Sequence, residues 1–245
     1  MTTNIEIDSK KYAIEAGLVS TRVIYDLAGC ENRRVFLNQQ DEIDIPLDSD
    51  SFLIIRGSES FVTGDSPIED NPPLRNAIQL RLNGELNHSL PKAIITGKEL
   101  KAFDPEHPKG RLFADISTGP DAEIADDIKI VVQEGNSFFV IPSSDGSSTG
   151  DPVDVEDCGK HDRRPPKGQK YRIRIDRDKY TVNEEQITGA QILALVKKEL
   201  ENWSLNQKLR GGERKRIEAN DLVDVSQPGI ERFETVRRQA QQGRE

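Results

Sequence analysis

Residues Tyr171–Leu193 read YRIRIDRDKYTVNEEQITGAQIL. Tyr171, Ile173 and Ile175 alternate with Arg172 and Arg174, the period of two that marks a strand with one buried face. Asp176–Lys179 (DRDK) supplies a turn, and Tyr180 and Val182 resume the alternation. Thr188-x-x-Gln191 then fits a capping box, in which a hydroxyl and an amide side chain satisfy orphan N–H groups at a helix start. Ile192, Leu195 and Val196 fall on one helical face. Further strands are expected at Trp203–Leu209 and Leu222–Val225. A hairpin, one helix and returning strands make a sheet with a helix across one face, two layers around a single core.

The same pattern occurs twice more. Upstream, "IEID" ends at Asp8 and "IQLRLN" at Asn83, as "YRIRID" ends at Asp176. A Gly with a Phe four residues later follows by 49, 52 and 53 residues: Gly57/Phe61, Gly135/Phe139 and Gly229/Phe233. A Thr at an expected helix start stands 13, 13 and 12 residues after the strand end, at Thr21, Thr96 and Thr188. Thr96-x-x-Glu99 is a second capping box. The first repeat lacks one but keeps the stripe Val23, Ile24, Leu27 and Ala28. Asn83-Gly84 is a two-residue hairpin signal, since both residues tolerate positive φ. Matching strands are expected at Val35–Leu37, Phe52–Ile55, Arg111–Phe113 and Ile128–Val132. The spacing predicts domains at 1–62, 76–140 and 170–236. Pro- and acid-rich residues 63–75 read as a linker, the Ser-, Gly- and Asp-rich 141–169 as a flexible linker, and 237–245 as a C-terminal tail.

Composition narrows the function classes. The 245 residues carry a net charge of −9, which argues against general binding to nucleic acid or an anionic membrane. Residues 170–245 hold 16 Lys and Arg against 13 Asp and Glu, a net of +3; residues 1–169 hold 18 against 30, a net of −12. No apolar run is long enough to span a bilayer and no signal-peptide pattern is visible, so a cytoplasmic protein is expected. Two cysteines, Cys30 and Cys158, make no disulfide framework.

The order ββαββ is that of the β-grasp, so the fold class expected is α+β: three tandem ubiquitin-like β-grasp domains joined by flexible linkers. Segments YRIRIDRDKYTV, ITGAQIL and VDVSQPGIERFETV of the third repeat resemble the bacterial multiubiquitin-domain family. The second repeat keeps IITGKEL and EGNSFFVIP. The first keeps IEIDSKKYAI and the Gly57/Phe61 pair but lacks the Thr-Gly. The resemblance implies a protein modifier or its precursor, with an E1-like activating enzyme, an E2-like conjugating enzyme, a processing peptidase and a target protein as partners. It also implies a setting in antiviral defence for some relatives.

A modifier's chemistry lies at its C-terminus. After Phe233 the chain reads ETVRRQAQQGRE, with Gly243 its one glycine. Cleavage before Arg244 would expose Gly243, and the nine residues Glu234–Gln242 would then reach about 30 Å if open. No Gly-Gly ending is present. "LRGG" at Leu209–Gly212 copies the end of ubiquitin but precedes the Gly229/Phe233 anchor, and it reads as a hairpin turn.

The basic residues Arg210, Arg214, Lys215 and Arg216, with Arg237 and Arg238, are candidates for docking an acidic face of a conjugation enzyme. Cys158, His161 and Asp162 sit in the expected linker and lack the further ligands that zinc needs. Cys30 reads as structural, and Trp203 as core. No catalytic residue, metal site or cofactor is expected, so the chain reads as a substrate or ligand of enzymes. A non-conjugated multivalent scaffold, binding partners through its β-grasp domains, is the alternative.

Overall fold

A computed structural model describes residues 1–30, 33–39, 43–65, 71–143 and 149–238, and the chain divides into two compact units, Met1–Val140 and Ile141–Glu245. Strand dominates over helix, as in an α+β protein.

In the first unit, β1 (Thr2–Ile7) and β2 (Lys10–Glu15) form a hairpin whose turn holds Asp8 and Ser9 at positive φ. β3 (Gly17–Ser20) leads into α1 (Thr21–Ala28), followed by β4 (Arg34–Leu37), β5 (Ile45–Pro46), β6 (Ser51–Ile55) and β7 (Ser60–Gly64). The second repeat supplies β8 (Pro73–Leu82), β9 (Glu85–Lys92), β10 (Ile94–Thr96) and α2 (Gly97–Lys101). It continues with β11 (Arg111–Ala114), β12 (Ala122–Ile124), β13 (Lys129–Val131) and β14 (Ser137–Ile141).

The second unit has β15 (Val153–Asp154), α3 (Val155–Lys160), β16 (Tyr171–Ile175), β17 (Asp178–Val182), β18 (Gln186–Thr188) and α4 (Gly189–Leu195). It ends with β19 (Trp203–Leu209), β20 (Arg214–Ile217), β21 (Leu222–Asp224) and β22 (Ile230–Arg237).

One strand order recurs in three sheets: β2-β1-β7-β4-β5, β9-β8-β14-β11-β12 and β17-β16-β22-β19-β20. In each, the first strand of the repeat runs parallel to the last, with Ile7 opposite Phe61, Leu82 opposite Phe138 and Ile175 opposite Phe233. A mixed sheet with this central parallel pair is β-grasp-like. The register moves one landmark. In the second repeat Phe138, fully buried, takes the place of Phe61 and Phe233, and Phe139 lies one residue past it.

The helix starts differ in the same small way. Both capping boxes form: Thr96 with Glu99, and Thr188 with Gln191. In the first repeat Ser20, not Thr21, is the N-cap. Thr21 therefore aligns with Gly97 and Gly189. A Cβ on either glycine would lie 2.2 Å from a backbone carbonyl, that of Ala125 or Glu218. Thr21 meets the same crowding by donating its hydroxyl to the carbonyls of Asp48 and Ser51.

The first two repeats are not separate beads. Beside their own sheets they share a four-stranded one, β10-β13-β6-β3, in which β13 runs parallel to β6 with Lys129 opposite Ser51 and Val131 opposite Leu53. Lys129 pairs with Asp48 at 2.6 Å and Arg56 donates to the Glu134 carbonyl at 3.2 Å. One buried cluster runs from Ile5 to Val140. The linker expected at 63–75 is shorter, since β7 continues to Gly64 and β8 begins at Pro73; residues 66–70 lie outside those described.

The expected linker 141–169 is also folded in part. β15 pairs parallel with β16, Val153 opposite Tyr171, and α3 packs so closely on β22 that a Cβ at Gly159 would lie 2.2 Å from the Ile230 carbonyl. Asp154 caps α3 through the Asp157 N–H. Val153, Val155 and Cys158 are buried, which supplies an apolar anchor that the polar composition conceals. Residues 144–148 lie outside those described. A bulky thiol reagent added to the native protein is accordingly expected to label half-exposed Cys30 and leave Cys158 unmodified until unfolding. Equal labelling of both thiols would show that this segment is open.

Candidate functional site

The C-terminal strand β22 lies between β16 and β19 at the centre of its sheet. Against β19 it is paired over its length, from Leu209 opposite Ile230 to Trp203 opposite Arg237. Pairing continues one residue further, where the Arg238 N–H donates to the Asn202 carbonyl at 2.9 Å. The tail expected to be open from Glu234 is therefore strand through Arg237. Only Gln239–Gln242 separate the last described residue, Arg238, from Gly243, a span of at most about 18 Å. Gly243 and Arg244 themselves lie outside the described residues.

A polar lock holds the strand. Asp176, at φ 54°, turns its carboxylate to accept from the Thr235 N–H at 2.8 Å and the Thr235 hydroxyl at 2.6 Å. Lys198 Nζ donates to the same carboxylate at 3.0 Å and to Thr235 Oγ1 at 2.6 Å, and sits 4.2 Å from the Trp203 ring centre. Burial pushes the Asp176 carboxyl up, but the Thr235 and Lys198 contacts outweigh it and hold it below the usual range. Asp8 repeats the device with Thr63 at 2.9 and 2.7 Å, and Asn83 does so with the Val140 N–H at 2.8 Å. The strand-ending Asp or Asn is thus a staple that ties the hairpin to the last strand. The Thr two residues past Phe61 and Phe233 was its legible partner.

The basic candidates divide into two groups. Trp203 and Leu209 are opposite ends of β19, about 20 Å apart at strand rise. Exposed Arg237 and Arg238 stand at the Trp203 end, while Arg210 sits in the turn after Leu209. Arg210 pairs with Asp162 at 2.6 Å, Arg214 with Glu234 at 3.0 Å and Arg216 with Glu218 at 2.7 Å. Lys215 lies opposite Gln207 on the edge strand β20. Arg232 joins Arg214 at Glu234, contacting it at 2.8 Å, and these two guanidiniums hold the Glu234 carboxyl below its ordinary value. Arg210 and its neighbours therefore form a lattice of mixed charge rather than a bare cationic loop. LRGG is the turn of the β19–β20 hairpin, with Gly211 and Gly212 at φ 85° and 89°.

A second charged cluster fixes α3. Asp154 accepts from Lys179 at 2.6 Å and Arg172 at 3.1 Å; Glu156 accepts from Lys160 and Arg174, each at 2.9 Å. Burial raises both carboxyl groups, yet these cations more than offset it and lower both. A depressed folded value gives stability that is present above the unfolded value and lost as pH falls through the folded one. The unfolding midpoint followed by Trp203, the chain's single tryptophan, is therefore expected to drop as pH falls below about 4. Asp154→Asn is expected to be less stable at pH 7 and to lose less on acidification, so that the two curves converge. Parallel curves would contradict this.

His161 Nδ1 lies 2.8 Å from the Asp157 carbonyl, Asp162 is engaged by Arg210, and Cys158 is buried. Among the described residues no group of His, Cys, Asp or Glu has metal-binding geometry, and no helix is long and apolar enough to cross a membrane.

A family model described as Multiubiquitin matches residues 171–238, from the first residue of β16 to the last described residue. No curated protein matches the chain. The repeated strand order fits a ubiquitin-like fold, and over residues 171–238 the chain is similar to the multiubiquitin family.

Proposed function

We propose that the chain is a bacterial ubiquitin-like protein modifier, or the precursor of one. It is activated through a C-terminal carboxylate by an E1-like enzyme and passed by an E2-like enzyme to a target protein. The observation that carries this reading is the position of β22. The multiubiquitin match covers the last domain, and its final strand runs directly into the tail that holds Gly243. The sheet delivers that tail from a fixed point, the Asp176–Thr235–Lys198 lock, as an enzyme that must thread a terminus requires. A peptidase that removes Arg244 and Glu245 would complete the acyl donor. In this reading the protein is cytoplasmic, needs no cofactor, is not itself an enzyme, and serves antiviral defence. Arg237 and Arg238 flank the exit and are the basic residues best placed to meet an acidic enzyme surface.

A scaffold reading is favoured by one observation. The sheet shared by β6 and β13 makes the first two repeats a single unit, which suits a binding platform better than release of single domains. Incubating the chain ending at Gly243 with an adenylating E1-like enzyme and ATP separates the two. A thioester adduct that a reducing agent cleaves supports the modifier; none, with an enzyme active on its own substrate, leaves the scaffold.

A further inference from the structure

The helix N-caps align the three repeats at the short sheet beside each helix. Ser20 lies opposite Phe52, Thr96 opposite Lys129 and Thr188 opposite Leu222, so β6, β13 and β21 are equivalent strands. Two of the three are already joined to each other, β6 with β13. Among the described residues β21 pairs with β18 alone.

Main-chain direction shows that the edge in question is the same one. The bonds from Gly97 N–H to Ile128 O and from Val132 N–H to Ala93 O aim even-numbered residues of β13 at β10, so Lys129 and Val131 direct theirs to β6. In the third repeat, Gly189 N–H to Asp221 O and Val225 N–H to Glu185 O aim Asp221, Val223 and Val225 at β18. Leu222 and Asp224, the counterparts of Lys129 and Val131, direct theirs outward. Val223 faces the core at 4% exposure, whereas Leu222 is 66% exposed, among the described residues the most exposed large hydrophobic after Met1. Strand edges that must stay single commonly carry lysine. None stands in β21, whose outward residues are Leu222 and Asp224.

We propose that β21 is an assembly edge and that its occupant is β21 of a second copy of this chain. Within the chain two edges of this type, β6 and β13, already join, there in parallel, and a second copy brings the identical edge at no further requirement of sequence. A two-fold axis perpendicular to the sheet runs the strands antiparallel about Val223. Outward groups of Leu222 in one copy then meet those of Asp224 in the other, and the two acidic side chains stay apart. The proposal is independent of whether the tail is conjugated.

Sedimentation velocity on the full chain over rising concentration provides the test. A monomer–dimer equilibrium is expected, and Leu222→Lys is expected to weaken it at least tenfold while the Trp203 unfolding transition stays in place. A mixture of Leu222→Cys and Asp224→Cys chains, each in a Cys30→Ser background, is expected to give a disulfide-linked dimer on mild oxidation, because these two positions lie opposite each other in the proposed register and Cys158 is protected by burial. A monomer at every concentration, or a dimer indifferent to Leu222→Lys and without the cross-link, overturns the proposal.

Discussion

Gly189→Val is expected to lower the stability of the second unit by about 3 kcal/mol, the upper range for overpacking a site that cannot relax. The new Cβ would meet the Glu218 carbonyl at 2.2 Å and the Ile217 methyl at 2.9 Å. Glu218 is held from both sides, since its N–H donates to Asp221 and its carbonyl receives the Asp221 N–H. The carbonyl has nowhere to go without opening the Ala190–Ala219 and Gly189–Asp221 bonds that start α4. Urea unfolding followed by Trp203 fluorescence reads this unit alone, because the first unit has no tryptophan. Gly97→Val meets the Ala125 carbonyl at the same 2.2 Å, and is expected to leave the Trp203 transition unmoved while circular dichroism shows the first unit weakened. Wild-type midpoints in both variants would refute the account of the Thr-Gly pair.

Deleting Gln242–Glu245 is expected to abolish transfer to an E1-like enzyme, a loss to background rather than a fractional decrease. The last paired residue is Arg238, so the deletion touches no described hydrogen bond and leaves the Trp203 transition unchanged. It also leaves any partner binding through the sheets intact. Replacing Arg237 and Arg238 by Ala is expected to slow transfer and steepen its dependence on enzyme concentration without abolishing it, since these charges act on encounter. Transfer that survives the deletion would place the acyl donor elsewhere.

The hairpins and both capping boxes were legible because each is set by residues close in sequence; the helix stripes were so only in part, since Ile24 and Ile192 are buried but Val23 is exposed and Leu193, not Leu195, joins Ile192 in the core. Thr188 finds Gln191 three residues on, and Tyr171, Ile173 and Ile175 announce their face by alternation alone. The LRGG turn was legible because the strand after it needed completing. What escaped depends on distant partners. Ser20 and Thr21 are both plausible caps, and only the Asp48 and Ser51 carbonyls crowding Thr21 decide between them. Phe138 and Phe139 are adjacent apolar residues, distinguished by the register against Leu82. The join of β6 to β13 leaves no period in the sequence, because parallel pairing links residues 78 apart (Ser51 with Lys129) through main-chain groups. α3 hides behind Asp154 and Glu156, whose charges are answered by Arg172, Arg174 and Lys179. At the C-terminus only the Gly229/Phe233 anchor was legible; the strand β22 that contains Phe233 and runs on to Arg237 was not, because its pairing partners β16 and β19 are distant in sequence.

The intact mass of the protein isolated from the cells that make it tests the central claim most directly. The modifier account predicts loss of the mass of Arg244 plus Glu245, together with heavier species whose junction peptide runs through Gly243. An unchanged mass and no adducts, while the activating enzyme is demonstrably working, would contradict it and leave the fused first unit and its partner domain as a scaffold.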